Sequence, residues 1–211
     1  MKYNLPLNQL VPEYRHKIWF IRKYFLDRIK FSLDIADLKN GEKVLDLGCG
    51  EAILLKEIQR NNKNVYYWGL DINENIKSLN LENSEFIVGD LEEKLPFDSN
   101  FFDVIFALDV LEHIKNINVV LKEISRVLKD KGKFVVCGPT ESWWYKFCRF
   151  IIKGTFSSKE GPSSGEHFHS IYFILEKIDS FGAFRRKKLI HLPSFLPKSL
   201  AGVIICLYVK T

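Results

Sequence analysis

The chain has 211 residues, 46% of them hydrophobic and 27% charged, with a formal net charge of +5. That length suits one well-buried domain and is short for two, and the composition is that of an ordinary globular protein rather than a disordered one. No run of about 18 apolar residues is free of charges, which argues against a transmembrane helix, and MKYNLPLNQLVPEYR at the N-terminus lacks the apolar centre of a signal peptide, so a cytoplasmic location is expected.

The charge is unevenly spread. Residues 1–40 carry 8 basic and 4 acidic side chains, residues 41–140 carry 12 and 17, and residues 141–211 carry 11 and 5. An acidic middle is flanked by two basic, aromatic-rich ends. The four cysteines, at 49, 137, 148 and 206, include no Cys-x-x-Cys pair. A thiolate zinc site and a disulfide framework are both disfavoured. Cys137 and Cys206 are expected as small buried residues.

In chain order, His16 to Leu38 reads as one or two helices with a wide apolar face. Lys43 to Leu47 is a short buried strand, and Ala52 to Gln59 a helix. Val65 to Leu70 is a second strand. Asn73 to Leu79 is a short helix that Asn73 caps. Glu85 to Val88 and Phe102 to Leu108 are the third and fourth strands. Asn118 to Leu128 is a helix with Val120, Leu121, Ile124, Val127 and Leu128 on one face. Lys133 to Gly138 is a fifth strand. Gly154 to Gly165 has flexible-loop composition. Ile171 to Phe181 is a helix ended by Gly182, and Phe184 to His191 and Val203 to Lys210 are the last strands. Alternating strands and helices predict an α/β fold on a parallel sheet, and runs such as VIFAL and FVVC suit a sheet covered on both faces.

In such sheets ligands bind beyond the carboxyl ends of the strands. The first strand ends in Asp46-Leu-Gly-Cys-Gly-Glu51 before a helix. Gly48 and Gly50, around Cys49, permit a sharp turn and close approach to a ligand. The second strand ends in Asp71, 21 residues after Gly50, where a carboxylate can accept from ribose hydroxyls. The third ends in Gly89-Asp90, and Asp90 can accept from an exocyclic amine of a base. Ile72, Leu91 and Leu108 supply apolar walls for a planar ring. Together these features predict an adenosine site. A dinucleotide needs Gly or Ala at the third position of the glycine motif; Ile53 stands there, and Glu51 adds negative charge where a pyrophosphate sits. A phosphate-free adenosine cofactor fits better, and Asp46 and Glu51 suit an ammonium or a sulfonium.

VLDLGCGEAILL, GLDIN, FIVGDLEEKLPF, FDVIFALDVLEHI and LKEISRVLKDKGKFVV together resemble the successive motifs of class I S-adenosylmethionine-dependent methyltransferases, particularly the type 11 small-molecule group. The resemblance covers residues 41–140, nearly half the chain. It implies a three-layer sandwich around a seven-stranded, mostly parallel Rossmann-like sheet with the last strand antiparallel. It also implies S-adenosylmethionine as cofactor, with Gly48 and Gly50 at its methionine part, Asp71 at the ribose and Asp90 at the adenine. Ala52 departs from the pattern, since family members often have a further glycine there. On this basis residues 1–211 form one domain, with an N-terminal helical cap (1–40), a cofactor-binding core (41–140), a substrate-side insert and loop (141–170) and a last helix with two strands (171–211).

The cofactor supplies the reactive carbon, so a general base is needed only where the acceptor must lose a proton. His113, just beyond the fourth strand, is the candidate catalytic residue, with His167 and His169 as others; the alternative for His113 is a helix-start residue that shapes the pocket. A metal is a further option. Asp109, Glu112 and His113 lie within one helical turn, and His167 or His169 completes a set; a similar pattern occurs in some metal-dependent methyltransferases of the fold that the resemblance implies, and is widespread in members without metal.

The acceptor falls to the basic, aromatic ends, which predict a small-molecule or lipid-like substrate. Trp143, Trp144, Phe147, Phe150 and Ile151 alternate with Lys146, Arg149 and Lys153, a pattern for a helix at a membrane surface or packed on its own domain. The loop 154–165 is a candidate lid. Nucleic acid is disfavoured, because no recognition motif is evident and Arg185 to Lys188 is a short run at a strand edge. A protein or nucleic-acid methyltransferase and a non-catalytic scaffold are the competing readings. The oligomeric state is not readable.

Overall fold

A computed structural model describes residues 19–61, 63–141, 143, 146, 167–194, 197 and 200–211. The elements follow the predicted order: α1 (Trp19–Ala36), β1 (Lys43–Leu47), α2 (Ile53–Arg60), β2 (Tyr66–Asp71), β3 (Ser84–Val88), β4 (Phe102–Leu108), α3 (Ile117–Val127), β5 (Leu128–Pro139), α4 (Ile171–Phe181), β6 (Phe184–Leu192) and β7 (Val203–Lys210). The sheet has seven strands in the order β3-β2-β1-β4-β5-β7-β6. β1 to β5 pair in parallel, and β7 runs antiparallel between β5 and β6. This is the expected sheet, last strand included.

Period-two alternation in fully buried strands sends neighbouring side chains to opposite faces. Val44, Val104, Phe106, Val135 and Ile205 pack with α1 and α2 residues such as Ile35, Leu54 and Ile58. Leu45, Ile105, Ala107, Val136 and Ile204 pack on the other face with Leu121, Ile124, Ile174 and Ile178 of α3 and α4. The result is the three-layer sandwich that the apolar runs demand. Cys137 and Cys206 are fully buried within these cores, as expected.

The short helix expected after β2 is a 3-10 helix, Glu74–Ser78, and Asn73 caps it as expected, accepting from the Asn75 amide at 3.0 Å. One strand differs from expectation. β5 begins five residues early, because Leu128 pairs with Phe102 ahead of a register shift. The run Arg185 to Lys188 lies on β6, an edge of the sheet, with all four side chains exposed. Charges there discourage edge-to-edge pairing. No helix among the described residues is long and apolar enough to cross a membrane. The candidate lid 154–165 and most of the 143–153 segment lie outside the described residues, which retain Trp143 and Lys146 from that stretch.

Candidate functional site

The carboxyl ends of β1 to β5 form one rim, and two groups of residues assemble on it. The first is the turn after β1. Gly48 and Gly50 take left-handed backbone, with φ of +71° and +48°. The Gly48 and Cys49 amides both donate to the Leu70 carbonyl at 2.7 and 3.2 Å. The Gly50 amide donates to Asp71 Oδ2 at 2.8 Å, while Asp71 Oδ1 accepts from the Asn73 amide at 2.9 Å. The turn is thus clamped onto the end of β2, and these three N–H groups point into the protein. An anion at this turn would lack those donors, which is a stronger argument against a pyrophosphate than the sequence provides.

The two glycines serve different ends. A Cβ on Gly48 would lie 2.5 Å from Val110 Cγ2, so this glycine lets the β1 turn pack on the segment after β4. A Cβ on Gly50 would meet nothing within 4 Å, which leaves open space above the turn. Ala52 has φ of +54° and is fully buried. Left-handed backbone of this kind favours glycine.

The other predicted cofactor residues are arranged around this turn. Asp46 is buried under it and accepts from the Tyr67 hydroxyl at 2.6 Å. Burial pushes its carboxyl up to about 7; the Tyr67 hydroxyl opposes that rise and the neighbouring Asp71 adds to it. The Cys49 side chain is buried against Gly69, so only its backbone borders the rim. Ile72 is 72% exposed, a large apolar side chain with no cover, directly after Asp71. Asp90 is exposed and its Oδ1 accepts from the Glu92 amide at 2.8 Å in a tight turn. Leu91 is buried in the core with Leu47 and Leu70, and Leu108 is half-buried.

The second group surrounds the 3-10 turn after β4, Leu111–His113. Asp109 has φ of +54° and pairs with Arg28 of α1 at 2.8 Å. Glu112 is 2% exposed; burial drives its carboxyl well above the usual carboxylate range, and Asp109 adds to the effect. The His113 ring meets the His167 ring edge-on, with centroids 4.8 Å apart. His167 Nδ1 lies 2.7 Å from Glu141 Oε1. The Phe168 amide donates to the Glu112 carbonyl at 2.8 Å and so fastens this segment to the turn. One ligand atom each from Glu112, His113 and His167 lies within 4.8 Å of the others. His169 is elsewhere: it stacks on Phe173 with centroids 4.4 Å apart. Of the five residues considered for a metal, three converge, Asp109 is engaged by Arg28, and His169 stands apart.

Arg28, Tyr67 and Glu141 were not foreseen. Glu141 carried a usable signal, an acid just past a strand end, as at Asp71 and Asp90. It also has φ of +51°, so left-handed non-glycine residues occur in the turns after β1, β4 and β5 alike. Such strain tends to collect where surrounding structure holds a site in place.

Residues 45–136 match the family model described as a methyltransferase domain. Over these residues the chain is similar to that methyltransferase-domain family, and its seven-stranded sheet is the fold of class I S-adenosylmethionine-dependent methyltransferases. A demethylmenaquinone methyltransferase of Bacillus mycoides is 34% identical over 147 residues, covering 64% of the chain and 56% of the relative. N-methyltransferase 4 of Papaver somniferum is 32% identical over 108 residues, covering 47% of the chain and 30% of the relative. The chain therefore spans about half the length or less of these curated relatives. Among solved structures, a SAM-dependent methyltransferase from Aquifex aeolicus superposes with a TM-score of 0.63 at 18% identity, covering 87% of this chain and 89% of that one. The shared fold is the one described above.

S-adenosylmethionine is the cofactor of this methyltransferase family. The rim fits it. Open space stands over Gly50, Asp71 retains lone pairs on both carboxylate oxygens beyond its two amide partners, and Ile72 offers an uncovered apolar wall. The inward-turned amides matter little to a cofactor without phosphates.

Proposed function

We propose that the chain transfers a methyl group from S-adenosylmethionine to a small-molecule or lipid-like acceptor. The observation that carries the cofactor half is the Asp71 clamp, a carboxylate joined to the Gly50 amide at the mouth of the open space over that turn. In this reading Gly48, Cys49 and Gly50 present backbone to the methionine part, and the buried Asp46 carboxyl lies behind it. Asp71 accepts from the ribose hydroxyls. Ile72, Leu91 and Leu108 border the adenine, and Asp90 accepts from its amine. When bound, S-adenosylmethionine supplies an activated methyl on a sulfonium. The chain's own work is then to orient the acceptor, exclude water and take a proton where the acceptor carries one. His113 is the residue assigned to that proton, with His167 and Glu141 behind it.

The acceptor half is supported by the names of the relatives, which refer to demethylmenaquinone and to N-methylation, and by the surface beside His167. Trp143, Phe168, Tyr172 and Phe173 are exposed, and Lys115 and Lys177 sit over the rings of Phe168 and Phe173. Aromatics interleaved with lysines suit an apolar acceptor or a peripheral contact with an anionic membrane surface.

Incubating the chain with methyl-labelled S-adenosylmethionine and a cell extract tests the acceptor class. Label is expected among small molecules, chiefly in the organic phase; label confined to protein or nucleic-acid precipitates overturns the assignment. The membrane contact predicts co-sedimentation with anionic vesicles at low salt, reduced by Trp143→Ala. No sedimentation at low salt contradicts it.

A further inference from the structure

Beside the cofactor rim, Glu112, His113 and His167 bring a buried carboxylate and two half-buried imidazoles to one point. We propose that these three residues bind a divalent cation of the borderline first-row class, Zn2+ or Fe2+ rather than Mg2+ or Ca2+, at the acceptor end of the site. Four features support this. Ligand atoms on one such ion stand roughly 3.3 Å apart at tetrahedral angles and about 4.3 Å when opposed. The 4.8 Å span here needs only small side-chain rotations to close. His167 already has the second contact that metal-binding histidines make: its Nδ1 meets the Glu141 carboxylate at 2.7 Å, which fixes the ring and presents Nε2 to the ion. Glu112 Oε2 is buried without a hydrogen-bond partner, an uncompensated state that a cation relieves. Finally, three carboxylates, Asp109, Glu112 and Glu141, face this spot, and Arg28, the guanidinium beside them, pairs with Asp109.

Two imidazoles and one carboxylate favour Zn2+ or Fe2+ over the oxygen-seeking Mg2+ and Ca2+, and leave open positions. An acceptor hydroxyl in such a position is held and made more acidic. As a ligand His113 could not also take the acceptor's proton; a hydroxyl bound to the cation would instead release it to solvent water, and the alkoxide oxygen would bond the methyl as the methyl–sulfur bond of the cofactor breaks. This step rests on the function proposed above, but the cation site itself does not.

The test reads the metal without the cofactor. The untagged chain, stripped with chelator, is titrated with Co2+ and followed by its visible d–d absorption, with Zn2+ as competitor. Saturation at one equivalent and displacement by Zn2+ are expected. His113→Ala and His167→Ala should each weaken binding more than about 100-fold, and Glu141→Gln by about 10–100-fold. Melting curves establish which variants are folded, and either folded histidine variant decides the matter. No saturable absorption from the native chain, or less than a tenfold loss in a folded histidine variant, overturns the proposal. A chain that binds S-adenosylmethionine but no Co2+ loses the cation site and keeps the proposed function.

Discussion

At the scale of single residues, the site depends on carboxylates that differ in their surroundings. Asp71 is linked to two amides and borders the rim, so Asp71→Ala removes both the clamp on the turn and the acceptor assigned to the ribose. Charge-assisted hydrogen bonds contribute about 1.5–3 kcal/mol each, so cofactor affinity should fall at least tenfold by isothermal titration. Asp46 is different, because its pKa is raised to about 7 by burial. The folded state holds this proton more tightly than the unfolded state, so the associated stability is present below about pH 3.8 and is lost as pH rises through 7. Asp46→Asn keeps an acceptor for the Tyr67 hydroxyl and cannot ionise. Without cofactor, its melting temperature relative to the native chain should therefore climb between pH 5 and pH 8. A constant difference across that range contradicts the assignment. Asp46 and Asp71 stand at strand ends and were legible from their positions. The Arg28 to Asp109 pair and the His167 to Glu141 pair were not, because their partners are 81 and 26 residues apart and only the closed sheet makes them neighbours.

Elements were legible where buried runs left one choice. β1, β4, α4 and β7 match expectation residue for residue, since each is bounded by turn residues and filled with side chains that need a core. The early start of β5 depends on Phe102 across the sheet, and short-range pattern carries no trace of it. The close approach of the β1 turn to the segment after β4 is a further product of tertiary packing. Gly48→Ala combines left-handed strain of about 1–2 kcal/mol with a clash against Val110 worth about 1–3 kcal/mol. Val110→Ala should recover the part of the clash made by Cγ2 and leave the strain and the 2.8 Å approach of the residue-110 Cβ, a coupling that a double-mutant cycle in urea measures. Additive effects of the two substitutions contradict that packing. On the α3 side, Arg126 bonds Glu123 and the Leu95 and Phe97 carbonyls, fastening the loop after β3 to the helix. Arg126→Ala should cost about 2 kcal/mol in the same assay.

Over the whole molecule, charge separates cofactor from acceptor. The acidic residues 41–140 carry the rim that suits a cationic, phosphate-free cofactor, and the basic C-terminal flank contributes the exposed aromatics Trp143, Phe168, Tyr172 and Phe173, with Lys177 of that flank and Lys115 of the middle segment over two of their rings. The fold is common to methyltransferases with many acceptors, so it specifies the cofactor more closely than the substrate. The most direct measurement of the central claim is the melting temperature with and without S-adenosylmethionine, for the native chain and for Asp71→Ala. At cofactor a hundredfold above its dissociation constant the stabilisation is about 2.7 kcal/mol, or about 5–10 °C for a chain of this size. The account predicts that rise in the native chain and its loss in Asp71→Ala; no rise in the native chain at saturating cofactor contradicts it.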